Sequence, residues 1–148
     1  MVDTIDKLKD SILQVSIYIE QCSEADLSYK LSPKKWSKKE ILGHLVDSGL
    51  YNLQRFAEIQ FENKPYRYAS YKQEQLVKSN NYQGANTAEL IGFLIAINKR
   101  IISLIIIQTQ ESLNYIFVNS LDEEISLTSL IEDYVAHFEY HSRQIMKC

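Results

Sequence analysis

Apolar residues recur every three or four positions in four separate stretches of this sequence. That spacing places them along one face of an α-helix, and such a face buries against other helices in a globular protein. Residues that favour helix starts or loops separate the stretches. The pattern therefore predicts an all-α fold, a four-helix bundle. The predicted helices cover about residues 3–21, 37–60, 86–107 and 126–146.

The second predicted helix carries a clear start signal. Ser37 is followed three residues later by Glu40, so the serine oxygen can accept an early backbone N–H while the glutamate reaches back to the serine N–H. Trp36 precedes the cap, where an apolar side chain can pack onto the first turn. We expect this structural role for the only tryptophan of the chain, rather than stacking on a ligand.

A long irregular connection joins the second and third helices. Residues 63–84 contain four tyrosines, and residues 73–79 are predicted to form a short helix among them. A connection of this length inside a compact domain is often functional. The tyrosines have two candidate roles, lining the mouth of a pocket or packing on the bundle surface. Residues 115–118 are predicted to be a brief strand or an extended loop.

Length and composition are those of a globular protein with one domain, which we place over residues 1–148. The sequence is 45% hydrophobic and 24% charged, which is ordinary for such a protein. Four glycines and two prolines allow few tight turns and so favour long helices over a many-stranded sheet. The net charge of −3 argues against a nucleic-acid partner. Four lysines do cluster within residues 34–39, and we interpret them as a solvated approach to the second helix.

The third helix is apolar enough to raise the question of a membrane span. Asn98, Lys99 and Arg100 lie in its middle, where a charge costs about 2.5–3.5 kcal/mol. The apolar runs on either side are too short to span alone. The sequence thus predicts a core helix and no membrane partner. Its isoleucines exceed what one face can bury, which predicts a homodimer contact. These residues are Ile102, Ile106 and Ile107.

Nothing in the sequence indicates secretion. The N-terminus is acidic and amphipathic and lacks the apolar core of a signal peptide, so we expect a cytoplasmic protein. Cys22 and Cys148 are far apart in sequence and do not suggest a disulfide framework. We interpret Cys22 as a buried side chain that fills space in the core, and Cys148 as part of a frayed C-terminal tail. We interpret neither as a catalytic nucleophile.

The sequence contains three histidines, and all of them fall on apolar helical stripes. His137 and His141 are four residues apart, so their imidazoles project from one face of the fourth helix. His44 lies on the second helix, which a bundle can set beside the fourth. We predict that the three share one divalent metal ion, for which three neutral nitrogen ligands suit Zn or Ni. The alternative is three separate core histidines, each held by a hydrogen bond.

The residues after His137 exclude one class of metal enzyme. The zinc metalloprotease helix carries a glutamate directly after its first histidine. Here Phe138 takes that position. Glu139, one residue further on, points about 160° away around the helix. We therefore exclude a metalloprotease of this kind.

Six segments of the sequence together match the pattern of a known family. They are Trp36–Ser37, His44–Ser48, Asn52, Arg55–Phe56, Asp133–His137 and His141–Ile145. With these segments the chain resembles the DinB-like superfamily of damage-inducible, YfiT-type metal proteins. Members are four-helix bundles, often dimers, with a three-histidine site for a divalent metal. By this resemblance, which covers nearly the whole chain, His44, His137 and His141 take the ligand positions.

The resemblance implies a metal protein that acts on a small molecule. Relatives include thiol transferases that use bacillithiol or mycothiol, and others are described as metal-dependent hydrolases. We expect first a transferase that activates a low-molecular-weight thiol toward a small electrophile. The alternatives are a hydrolase that uses a metal-bound water and a non-catalytic bundle stabilised by the metal.

Two polar residues on the second helix are candidates to assist this chemistry. Asp47 is placed to orient a metal ligand or to handle protons, or it is a carboxylate on the helix surface. Arg55 could receive an anionic group of the substrate, or pair with Glu58 or Asp47. Both residues lie, with His44, on a polar line that runs beside the apolar face of the helix.

Overall fold

Four long and three short helices make up most of the fold within residues 1–147, which a computed structural model describes. The four predicted long helices are confirmed, each to within two residues at either end, and the predicted short helix at residues 73–79 is confirmed as well. A turn of 3-10 helix covers Tyr82–Gly84. The helices are α1 (Val2–Glu20), α2 (Glu24–Ser28), α3 (Lys38–Glu58), α4 (Gln73–Ser79), α5 (Thr87–Ile106), α6 (Gln110–Leu113) and α7 (Leu127–Ile145).

Helix α3 lies at the centre of the bundle. It packs against both α5 and α7, and α1 packs against α7. Leu45 of α3, Ile101 of α5 and Phe138 of α7 are among the fully buried side chains of the core between them. Burying a side chain of this size stabilises the fold by about 1.5–3 kcal/mol. The core therefore fixes the relative positions of α3 and α7, the two helices that carry the histidines.

Side-chain capping determines where α3 begins. The Ser37 oxygen accepts the Glu40 N–H at 3.1 Å, and Glu40 Oε1 accepts the Ser37 N–H at 3.1 Å. The predicted capping box is thus confirmed. Asn86 and Ser126 cap α5 and α7 with their side chains in a similar way. Because the start of α3 is fixed, so is the helical face on which His44 stands.

The fold also contains a small three-stranded sheet. The sequence predicted only one extended stretch of it, at residues 115–118. Its strands are β1 (Tyr66–Arg67), β2 (Ile116–Val118) and β3 (Glu124–Ser126). Strand β2 lies in the middle, parallel to β1 and antiparallel to β3. Tyr66 is paired with Phe117, which is fully buried. The sheet therefore ties the start of the long connection to the segment that leads into α7.

The end of the long connection lies against α3. Tyr82 is buried there, and its hydroxyl donates to Asp47 Oδ1 at 2.5 Å. The connection is therefore anchored at both of its ends, by β1 and by Tyr82.

No helix within residues 1–147 is long and apolar enough to cross a membrane.

The sequence also led to expectations about the isoleucines of α5 and about the two cysteines. Ile102 is buried in the bundle, whereas Ile106 and Ile107 are exposed, and the dimer contact stays a prediction. Cys22 is half-buried against the core rather than fully enclosed. Cys148 lies outside the described residues.

Candidate metal centre

The three histidines meet inside the bundle. His44 stands on α3, and His137 and His141 stand one turn apart on α7. One ring nitrogen from each of the three histidines can be chosen so that all three atoms lie within 4.8 Å of one another. The Nε2 atoms of His44 and His137, which are 93 positions apart in sequence, are separated by 3.1 Å. The fold thus gathers the three residues that the sequence singled out into one cluster.

The imidazole rings of the cluster meet edge to face. Their centroids are 4.5–5.0 Å apart, and their planes are inclined to one another by 72–79°. Two nitrogens that bind one tetrahedral ion at about 2.1 Å are themselves about 3.4 Å apart. The separation of the Nε2 atoms of His44 and His137 is close to that distance.

Burial keeps these imidazoles neutral. Removal from water lowers the pKa of His44 to about 3 and the pKa of His137 to about 4, and the neighbouring histidines act in the same direction. Burial also lowers the pKa of His141, against the opposing effect of a hydrogen bond with Gln144. A neutral imidazole offers a nitrogen lone pair, which is the form that binds a metal.

The cluster fits a divalent metal ion. The Nδ1 atoms of His44 and His137 are buried and have no hydrogen-bond partner within residues 1–147, and the two rings are joined to each other by the hydrogen bond between their Nε2 atoms. Nδ1 of His141 donates a hydrogen bond to Gln144 Oε1 at 2.8 Å, which leaves Nε2 of the same ring available to bind a metal ion. Imidazole donors suit Zn and Ni better than Mg or Ca. The three histidines could therefore hold such an ion, and the ligand assignment and the identity of the ion stay predictions.

Two residues beside the cluster have contacts that the sequence reasoning missed. The Trp36 ring lies with its centroid 4.9 Å from that of His44, so this residue contacts a candidate ligand besides its expected packing role. Gln144 lies in the matching segment His141–Ile145, but no role was predicted for it. Its position three residues after His141 on the same helix is the signal that could have found it.

Asp47 is not the helix-surface carboxylate that the sequence allowed, since its exposure is only 3%. Its Oδ1 accepts the Tyr82 hydroxyl at 2.5 Å and the Asn80 amide at 3.4 Å. Its Oδ2 is buried and has no partner in the part of the chain that the structure describes. Burial raises the pKa of Asp47, although the Tyr82 hydrogen bond opposes the shift. Proton handling by Asp47 remains a prediction.

Arg55 lies beneath the long connection. Its guanidinium donates to the Ala69 carbonyl at 2.7 Å and is 4.1 Å from the centroid of the Tyr68 ring. Neither of the ion pairs considered from the sequence, with Glu58 or with Asp47, is formed. Arg55 therefore holds the connection against α3, and contact with a substrate remains a prediction.

The tyrosines of the connection pack against the bundle. Tyr71 stacks on Tyr51 of α3 with ring centroids 4.5 Å apart. Tyr66 and Tyr68 both contact the buried ring of Phe117. Of the two roles that the sequence left open, the structure supports packing on the bundle.

Comparison with known proteins agrees with this architecture. The family model of the DinB superfamily matches residues 9–145. A protein of Oceanobacillus iheyensis, described as a candidate metal-dependent hydrolase, is 26% identical over 149 aligned positions. The alignment covers 96% of this chain and 85% of that protein.

Two solved structures share the fold. YfiT from Bacillus subtilis, described as a probable metal-dependent hydrolase with an unusual four-helix bundle topology, has a TM-score of 0.88 and 19% identity, over 97% of this chain and 82% of YfiT. The mycothiol-dependent maleylpyruvate isomerase has a TM-score of 0.74 and 9% identity, over 97% of this chain and 60% of the isomerase. At these identities the two likenesses establish the topology alone. Because the family model matches almost the whole length, this chain belongs to the DinB superfamily.

Proposed function

We propose that this protein is a metal-dependent transferase that activates a low-molecular-weight thiol for attack on a small electrophile. The observation that carries the proposal is the composition of the cluster. Three neutral imidazoles converge, and no carboxylate of residues 1–147 joins them. A divalent ion held by these neutral ligands would keep its full charge and favour ionisation of a thiol or of water near neutral pH.

A thiol needs less assistance than water from the surrounding residues. The usual pKa of a cysteine-type thiol is about 8.5, whereas the pKa of water is far higher. Asp47, the predicted proton acceptor, already shares its Oδ1 with the Tyr82 hydroxyl and lies outside the cluster. The residues present therefore favour a reaction that does not depend on a strong general base. The bundle shared with a mycothiol-dependent isomerase is consistent with a thiol substrate.

The chain's own residues would orient the reacting groups. Trp36 packs on the His44 ring, and Gln144 Oε1 accepts a hydrogen bond from Nδ1 of His141. Two of the three imidazoles are therefore held in place by residues outside the cluster. In this proposal Asp47 receives the proton that the thiol loses. Arg55 sets the position of the connection and, through it, the shape of the site.

Hydrolysis is the second candidate. The descriptions of the Oceanobacillus protein and of YfiT favour it. It would use the same three histidines, with water in place of the thiol, and it would place a greater demand on Asp47 as a base.

A transfer assay tests the proposal. Protein purified without an affinity tag and loaded with Zn or Ni is incubated with monochlorobimane and bacillithiol, cysteine or glutathione. The thiol sulfur bonds to the carbon that carries chlorine, chloride leaves with the bonding pair, and the thiol proton passes to Asp47 and from there to the buffer. We expect adduct formation above the rate without enzyme for at least one thiol. His137→Ala should reduce it to background, whereas Glu132→Ala, at an exposed position of α7, should not.

One result would decide against transfer, and an esterase assay would then identify what replaces it. Adduct formation at the rate without enzyme, for every thiol, would exclude it. If the same protein then cleaved p-nitrophenyl acetate in a reaction that His137→Ala abolished, the hydrolase would replace it. If neither reaction occurred, the centre would be non-catalytic.

A further inference from the structure

A cleft of about 600 Å³ opens beside the histidine cluster. Trp36 and Gln144 form part of its wall. Both residues also contact the cluster. The Trp36 ring packs on His44, and Gln144 Oε1 accepts a hydrogen bond from Nδ1 of His141. No histidine of residues 1–147 lines the cleft, so the side chains of Trp36 and Gln144 lie between it and the imidazoles.

The charges around this cleft are unbalanced. Among residues 1–147, four lysines line it against two carboxylates, those of Asp26 and Glu74. Within residues 1–147 none of the four lysines forms an ion pair. The local excess of positive charge is opposite in sign to the net charge of the chain, −3. We call this the cationic cleft, and its lysines are Lys34, Lys35, Lys38 and Lys147.

The lysines differ in their availability. The Lys38 ammonium is engaged by the Tyr18 hydroxyl and by the Lys147 carbonyl, the latter at 2.7 Å. Lys34 and Lys35 are exposed. Ammonium groups gathered around a concave surface add their potentials and attract small anions. A lysine acts as a point charge, without the fixed fork of an arginine, so the arrangement selects charge more than shape.

We propose that the cationic cleft binds a small organic anion and thereby selects an anionic thiol as co-substrate. The binding of the anion stands on the cleft alone. The selection of a thiol rests on the transfer reaction proposed above. Trp36 supplies an apolar wall beside the bound anion, and its ring lies between that anion and His44.

The fluorescence of Trp36 provides a direct measure of binding, because it is the only tryptophan of the chain. Metal-free protein is titrated with propionate, 3-mercaptopropionate and the neutral thiol 2-mercaptoethanol. Because propionate has no thiol group, a change in Trp36 emission on adding it reports binding of the charged group and not quenching of the fluorescence by a thiol. We expect a saturable change in emission with the two anions only, and weaker binding as NaCl is raised.

Lysine variants test whether the cleft is responsible. Lys34→Gln/Lys35→Gln should weaken binding of both anions by about threefold to tenfold, the effect expected for two exposed charges. Lys9→Gln/Lys99→Gln removes the same charge from exposed positions on α1 and α5 and should leave binding unchanged. Equal responses to the anionic and neutral thiols, or undiminished anion binding by the first variant, would overturn the proposal.

The transfer assay distinguishes this inference from the proposed function. Metal-loaded wild type should use 3-mercaptopropionate in preference to 2-mercaptoethanol, and Lys34→Gln/Lys35→Gln should lose the preference. Transfer without any preference would overturn the selection of an anionic thiol while leaving the proposed function intact. Lysine-dependent propionate binding in a protein that transfers no thiol would overturn the proposed function and support the anion site.

Discussion

The ring of Tyr82 occupies the space that a side chain at Gly43 would need. A Cβ atom at Gly43 would lie 2.1 Å from both Cγ and Cδ2 of Tyr82. Gly43 directly precedes His44 on α3, and the same tyrosine donates its hydroxyl to Asp47. One residue of the long connection is therefore packed against the helical turn that carries a candidate ligand.

Gly43→Ala should displace Tyr82 and destabilise the protein by about 1–3 kcal/mol, the usual cost of overpacking. The measurement is the free energy of unfolding in urea. Gly92→Ala is the matched control, because Gly92 is exposed in the second turn of α5 and a Cβ there meets nothing within 4 Å. Alanine is the better helix former, so this control should gain about 0.5–1 kcal/mol. Equal losses in the two variants would contradict the packing described.

Tyr82→Phe should destabilise the protein by about 1–3 kcal/mol at pH 7, because it leaves a buried carboxylate without its main partner. Burial raises the pKa of Asp47 above the usual 3.8, and loss of the Tyr82 hydrogen bond raises it further. The contribution of this carboxyl to stability is therefore fully present below about pH 3.8 and lost as the pH rises through the folded pKa. The difference between variant and wild type should widen from pH 4 to pH 7. Tyr29→Phe, at an exposed position, is the control, and a difference independent of pH would count against the Asp47 contact.

Metal-free protein should become less stable as the pH falls from about 6.5 towards 4. The pKa values of His44 and His137, about 3 and about 4, lie below the usual 6.5, so the unfolded chain binds more protons in this range. Each histidine adds a slope of up to about 1.4 kcal/mol per pH unit. Urea unfolding at several pH values should show a shallower slope for His137→Gln than for wild type or Glu132→Gln. Identical slopes would show that the cluster is not buried in the neutral form.

Zn or Ni should raise the melting temperature of the wild-type protein. A ligand at 100 times its Kd stabilises the folded state by about 2.7 kcal/mol, which for a chain of this size corresponds to about 5–10 °C. His137→Ala should abolish the shift while its far-UV circular dichroism stays near that of wild type, and Glu132→Ala should retain it. The centre is not functional if fewer than about a tenth of tag-free chains carry metal and neither ion changes the melting temperature.

The exposed isoleucines at the end of α5 lead to a prediction about assembly. Ile106 and Ile107 are 62% and 71% exposed, and together they form an apolar patch. We propose that they contact a second copy of the chain. Sedimentation velocity should show a dimer for wild type and a monomer for Ile106→Asp/Ile107→Asp. A monomeric wild type, or a dimer that persists in the variant, would exclude this contact.

Local signals in the sequence were sufficient for the long helices. Ser37 and Glu40 mark the start of α3 through bonds between near neighbours, so the chain alone indicates them. The convergence of His44 with His137 was predictable because the apolar stripe of each helix fixes which face points inward.

Features that depend on contacts distant in sequence were not predictable in this way. The strands of the sheet have two or three residues, too few for an alternating pattern to stand out. The burial of Asp47 depends on Tyr82, which lies 35 positions later. The position of Arg55 likewise depends on the path of the connection over α3, and no periodicity specifies that path.

The anchoring of the long connection at β1 and at Tyr82 has a consequence for how this protein could diversify. Ser70 and residues 72–75 lie between the two anchors and are exposed, so no packing constraint limits their identity. Randomised libraries at these positions should yield mostly folded proteins, whereas the same number of changes on α3 should not. The long connection is thus the segment in which evolution, or an engineer, can change which small molecule the protein binds without changing the packing of the helices.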